Sequence, residues 1–318
     1  MKKWNKINVL EYGIMIFCIM NSSVLLCMNF YLKIGVDAYL VPVIGTIIGF
    51  IPLLLFIKIL NYNTSLNIYE KIDKIFNKFG ILINILLSIL VYILAIIIFK
   101  NLIKYIEIGY LYNTNTLLIS IIFSISIIYT CTKSINVLFR LTNILFYITI
   151  ILFIISTLGL INELNLKNLL PFLEYGISKP LSQSLTYISY TILPLFIMLM
   201  IPKNDIYRNN KLNKYIIIFY LLASISTIII TIFTISILGI DLSKLYEFPE
   251  FIILGRISTT GFFQRFESIL GTQWIFTTFI MLCMCFMYIK NNYKHLFNKK
   301  EDLFIIILII ATSLICNI

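Results

Sequence analysis

The stretch LEYGIMIFCIMNSSVLLCMNFY, residues 10–31, decides the fold. Its one charged residue, Glu11, stands near its start, and as a helix it is long enough to cross a bilayer core, which takes about 20 mostly apolar residues. Midway it is interrupted by Asn21, Ser22 and Ser23, whose short side chains compete for backbone hydrogen bonds and permit local unwinding. The whole chain agrees with a membrane setting. Of 318 residues 60% are hydrophobic and only 12% charged, with a mean hydropathy of +0.98. A soluble domain is about half apolar and a quarter charged, so a water-solvated fold is excluded.

Outward from this run, further apolar stretches lie near Ala38 to Leu60, Gly80 to Ile108, Thr116 to Thr132, Val137 to Leu160, Leu185 to Ile201, Leu212 to Gly239, Ser268 to Tyr288, and Leu303 to the C-terminus. With Leu10 to Tyr31 they predict an all-α bundle of about nine spans in a single integral membrane domain, 1–318. Lys2, Lys3 and Lys6 precede the first run, but it is too long for a cleaved signal and has no small-residue cleavage site, so it is expected to stay as a span. Placing the N-terminus inside puts 17 of the 25 basic residues on the cytoplasmic side, the asymmetry expected of a polytopic protein. The formal charge of +11 is then explained by topology and by membrane lipid, with no need for nucleic acid. Between Ser65 and Phe79, Ile68, Ile72, Ile75, Phe76 and Phe79 recur at helical spacing against Glu70, Lys71, Asp73, Lys74 and Lys78, which predicts a short helix lying in the interface.

Chemistry-bearing residues are few. Six cysteines, Cys18, Cys27, Cys131, Cys283, Cys285 and Cys316, fall inside apolar runs at spacings that fit neither a metal site nor a disulfide framework, and His295, the one histidine, falls in a lysine-rich loop. The sixth span carries Tyr187, Ser189, Tyr190 and Thr191, then Pro194, which removes a helical hydrogen bond and frees a carbonyl a turn earlier. Two interrupted helices in corresponding halves of the chain point to a binding site at the midplane; the competing reading is that these hydroxyls only pack helices together. Gly45 and Gly49 form a GxxxG pair suited to a close helix contact. Lys100, Lys104 and Glu107 share a face at the end of the third span, where the lysines can snorkel, and Glu11 is placed to reach headgroups. Arg265 and Glu267 sit at the mouth of the eighth span. They are expected to find different partners, with Glu107 or Glu174 for Arg265 and Lys100 or Lys104 for Glu267.

The order of these features resembles the B subunits of spore nutrient germinant receptors, the spore-permease branch of the amino acid, polyamine and organocation transporter superfamily. Leu111-Tyr112-Asn113-Thr114-Asn115 after Glu107 looks like that family's LPxTP loop, without its prolines. Tyr129 to Asn143, holding Arg140, is similar to its passage into the fifth helix, and Asn168-Leu169-Leu170-Pro171 followed by Gly176 is similar to its outer-loop pattern. Phe248-Pro249-Glu250, Gly255-Arg256-Ile257-Ser258, Gly261 to Glu267 and Trp274 resemble "yPt…r.I..g.FleRxE…W", with Gln264 in place of the usual glutamate.

The resemblance implies a LeuT-like fold of two inverted five-helix repeats. The first would cover about 8–160 and the second about 185–318, shortened, with the tenth helix missing. It implies a small nutrient, an amino acid or nucleoside, held between the broken first and sixth helices by Asn21, Ser22, Ser23, Tyr92, Tyr187, Ser189, Tyr190 and Thr191, with Pro194, Pro249, Arg265 and Glu267 as structural or lid residues. It also implies larger A and lipoprotein C partner subunits in the spore inner membrane. The alternative is an amino acid permease of the same fold, which an incomplete second repeat disfavours. An enzyme would need converging acids or histidines in a loop. None is expected, nor is a cofactor or a metal.

Overall fold

The computed structural model describes residues 6–174, 176–257, 266–297 and 301–317. The Arg265 expectation, with the motif residues Gly261 and Gln264, lies outside them. The chain is an all-α helix bundle. It opens with a two-residue strand β1 (Ile7–Asn8) and continues through α1 (Val9–Ser22), α2 (Val24–Leu32), α3 (Leu40–Asn61), α4 (Ile68–Phe76), α5 (Lys78–Gly109), α6 (Thr116–Thr132), α7 (Ile135–Leu160) and α8 (Ser178–Thr191). After a second short strand, β2 (Ile206–Tyr207), come α9 (Leu212–Leu245), α10 (Pro249–Ile252), α11 (Phe266–Phe297) and α12 (Glu301–Ile315).

Among the described residues six helical segments, containing α3, α5, α7, the run 178–200, α9 and α11, are long and apolar enough to cross a membrane, and α1 with α2 makes a seventh, bent by 42°. The fourth and ninth expected spans are α6 and α12, both apolar but only 17 and 15 residues long. At about 1.5 Å per residue each falls short of a bilayer core of about 30 Å.

α1 is buried on nearly every side and packs on α7, α9 and α11, whereas α5, α6 and α7 turn Leu86, Ile125, Ile151 and Leu158 outward. That is the inversion a bilayer imposes: apolar residues need no burial there, so the interior collects small and hydroxyl side chains that let helices approach and bond. Ser120, Thr142, Ser156, Thr227, Thr234 and Thr312 are accordingly fully buried. All six cysteines are buried and free.

The end of the bundle that holds the strands is called basal here, the other distal. At the basal end β1 pairs in parallel with β2, Ile7 opposite Ile206 and Asn8 opposite Tyr207, and Lys6 Nζ donates to the Asn204 carbonyl at 2.8 Å. Glu11, expected among headgroups, instead caps its own helix by accepting the Asn8 N–H at 2.9 Å, a capping box that satisfies donors the helix start leaves free.

α4 forms where the interfacial helix was expected but ends at Phe76, with Ile75 and Phe76 exposed, while Phe79, also exposed, begins α5; its polar face is not all solvated. Lys71 is 2% exposed and donates to the Ile59 carbonyl in the last turn of α3 at 2.8 Å, where the helix dipole favours a cation; burial pulls its pKa down from the usual lysine value. Tyr69 Oη donates to the Tyr288 carbonyl at 2.7 Å. Because α11 runs on to Phe297, His295 is on a helix and not in a loop, and its Nε2 meets Asp73 Oδ2 of α4 at 2.6 Å.

Candidate functional site

The break in the first span is made by side chains turning back on their own helix. Ser22 Oγ donates to the Ile19 carbonyl at 2.6 Å, Ser23 Oγ to that of Met20, and Asn21 Nδ2 to that of Phe17 at 3.1 Å. Such back-bonding weakens the regular ladder and lets a helix bend, and α2 leaves at 42° to α1. Asn21 keeps its carbonyl oxygen for a neighbour and accepts Ser226 Oγ of α9 at 2.8 Å. Beside it lies a cavity of about 10 Å³, the size of one water. Thr149, Gln273 and Thr277 complete its polar wall, closed by Phe17, Phe153 and Trp274. Thr149 Oγ1 and Gln273 Nε2 are buried and meet no partner among the described residues.

The second break has another origin. α8 stops at Thr191 and residues Leu193–Met200 continue as a 3-10 helix. Pro194 has no N–H to give the fourth carbonyl back, and the ladder resumes with bonds that reach back three residues, such as Leu195 N–H to the Ile192 carbonyl at 3.0 Å. α3 clamps this junction. A Cβ on Gly45 would come within 2.4 Å of the Tyr187 ring, and one on Gly49 within 2.0 Å of Ile192 Cδ1, so the GxxxG pair serves close approach to α8. Tyr187 Oη lies towards Thr46, Ser224 and Thr227 without a hydrogen bond of good geometry to any of them. Tyr220 Oη donates to the Thr46 carbonyl at 2.6 Å.

Both breaks therefore abut one turn of α9, the first through Ser226 and the second through Ser224 and Thr227. Of the expected ligand contacts, Asn21, Ser22, Ser23, Tyr187 and Thr191 are brought to this junction; Thr191 Oγ1 donates to the Tyr187 carbonyl at 2.7 Å. Three are placed elsewhere. Ser189 is exposed, donates to its own Thr186 carbonyl and lines an outer apolar groove with Pro194 and Leu87. Tyr190 stacks on Phe30 with ring centroids 5.6 Å apart. Tyr92 lies in a groove with Tyr293 and Phe304, between α5, α11 and α12. Pro249 opens α10 and is buried. Glu267 is in the first turn of α11, and one of its expected partners, Lys104, instead pairs with Glu247 at 2.6 Å.

Sequence reasoning missed the wall that both breaks share. Ser224, Thr227, Thr231 and Thr234 recur at spacings of three and four, one face of a helix, and all are buried; that periodicity could have found them. It also missed Gln273 and the wholly buried Glu250.

No curated protein matches the sequence. A family model described as spore germination protein matches residues 6–318. The match spans nearly all of the chain and agrees with the bundle just described: this membrane protein belongs to the spore-permease family of spore germination proteins.

Proposed function

We propose that the chain is the membrane subunit of a nutrient germinant receptor, which holds a small polar nutrient of the amino acid or nucleoside class between its two broken helices. The observation that carries this reading is the meeting of both breaks on one turn of α9, where Thr149 Oγ1, Gln273 Nε2, Tyr187 Oη and Ser224 Oγ are buried without partners among the described residues. Polar groups are costly in a membrane interior unless bonded, and a nutrient's own donors and acceptors would bond them.

The cavity beside Asn21 takes one water, so admitting a nutrient means moving α2 or the Tyr187 turn of α8 away from α9. A ligand that bonds only the opened arrangement shifts the population towards it, and that shift is the signal. In this reading the A and C subunits receive it in the spore inner membrane, the N-terminus is cytoplasmic, the two halves of the bundle are inverted repeats, and no bond in the nutrient is made or broken.

Spore response curves test it, with response normalised to the amount of protein in the membrane. Asn21→Leu and Gln273→Leu each remove hydrogen bonds worth about 0.5–1.5 kcal/mol, so the nutrient concentration for half-response should rise about two- to tenfold. Reduced abundance with unchanged sensitivity would overturn the site. Concentrative uptake of labelled nutrient into vesicles would favour the permease reading instead.

A further inference from the structure

Beyond the junction, the distal end holds a group that the nutrient reading does not use. Glu250, on α10, is 1% exposed, and both its carboxyl oxygens are buried without a hydrogen-bond partner among the described residues. The segment around it is fastened at one side by Glu247, whose carbonyl accepts Asn29 Nδ2 of α2 and whose carboxylate holds Lys104 of α5. Two residues before it and one after it, Phe248 and Phe251 set their rings edge-on to Tyr105 at 5.1 and 5.6 Å, and Tyr105 Oη donates to the Gly271 carbonyl of α11 at 3.0 Å.

Among the described residues, the titratable groups within electrostatic reach of Glu250 are Cys27 and Tyr31 on α2 and Tyr105 on α5. None is a cation. Tyr31 Oη is already shared with Thr231 Oγ1 of α9 at 2.9 Å. An ionised carboxylate buried in such a place would have no counter-charge among the described residues, which is costly, and a buried acid answers by keeping its proton.

We propose that Glu250 is a proton-binding site that closes the distal segment 246–257 onto α2 and α5, and that lifting this segment releases the proton. Burial pushes the carboxyl well above the usual carboxylate range, to about 8, against the opposing pull of its own backbone N–H. The sign follows from linkage. Glu250 binds its proton more tightly when closed than when exposed, so acid favours the closed segment. That advantage is whole below the ordinary carboxyl range, falls about tenfold per pH unit above it, and is gone once pH passes about 8. The site stands on this geometry alone, whatever the nutrient reading becomes.

Two measurements on the purified full-length chain in lipid nanodiscs test it. Infrared pH-difference spectra should show a protonated carboxylic acid band at neutral pH that disappears as pH is raised through about 8 and is missing from Glu250→Gln. Backbone hydrogen exchange at 246–257, corrected for the intrinsic effect of pH, should speed up about tenfold per pH unit up to that point and not with pH in Glu250→Gln. The glutamine variant keeps the shape of the neutral acid, so it should fold. A wild-type protein with no acid band at neutral pH overturns the site. So does a band that survives in Glu250→Gln, or one that appears only in Arg265→Gln, which would mean that an ion pair holds the carboxylate.

Discussion

The two interrupted helices meet the same turn of α9 and are broken by opposite means. At Asn21 to Ser23 the side chains do it: three polar groups bond back to carbonyls of their own helix, the chain bends by 42°, and a water-sized polar space is left beside it. At Thr191 to Pro194 the backbone does it: proline withdraws a donor, eight residues tighten into a 3-10 helix, and two glycines of α3 let Tyr187 and Ile192, just before that run, press in close. The first break can exchange its partners for a ligand's, because side-chain hydrogen bonds are individually modest. The second is held by packing, which deforms only at a cost.

The largest expected effect lies on the packed side. Gly45→Ala puts a methyl within 2.4 Å of the buried Tyr187 ring, and overpacking of this kind costs about 1–3 kcal/mol. Thermal unfolding in detergent should show it as a lowered midpoint, against Gly255→Ala, where a Cβ would meet nothing within 4 Å. Equal midpoints would mean that the second break is as yielding as the first, and the contrast between them would fail.

A smaller effect is expected at the first break. Ser226→Ala removes the donor that Asn21 accepts at 2.8 Å and should lower stability by about 0.5–1.5 kcal/mol while raising the nutrient concentration for half-response. A stability change without a change in response would assign the pair to packing alone. At the basal end, Asp73→Asn weakens the contact with His295. That pair is partly exposed, so only about 0–1 kcal/mol is at stake, and faster proteolysis at 65–79 is the readout. The smallest effect is expected at Ser189, which is exposed and bonded to its own helix. Ser189→Ala should change stability by less than about 0.5 kcal/mol and leave the nutrient response where it was.

The bundle and both breaks could be read from the chain because apolar length, proline and clustered short polar residues act locally. What could not be read was where each side chain points. Ser189, Tyr190 and Thr191 are consecutive on α8, and a helix turns them about 100° apart, so one faces the outer groove, one stacks on Phe30, and only Thr191 faces inward. Tyr92 lies on the right helix but against α11 and α12. Glu250 was hidden for another reason: a carboxylate in a loop reads as solvated, and only the packing of α10 onto α9 and α11 takes its water away. Lys71 was misread in the same way at the other end.

The pairing of β1 with β2 has a mechanical consequence. α1 begins directly after β1, and β2 follows the 3-10 run by only a few residues, so the basal halves of the two broken helices are joined by backbone hydrogen bonds across Ile7–Ile206 and Asn8–Tyr207. Neither half can tilt without towing the other. Movement at the junction is thereby reduced to a single hinged lever, and a pull applied at the N-terminus would be felt at both breaks at once.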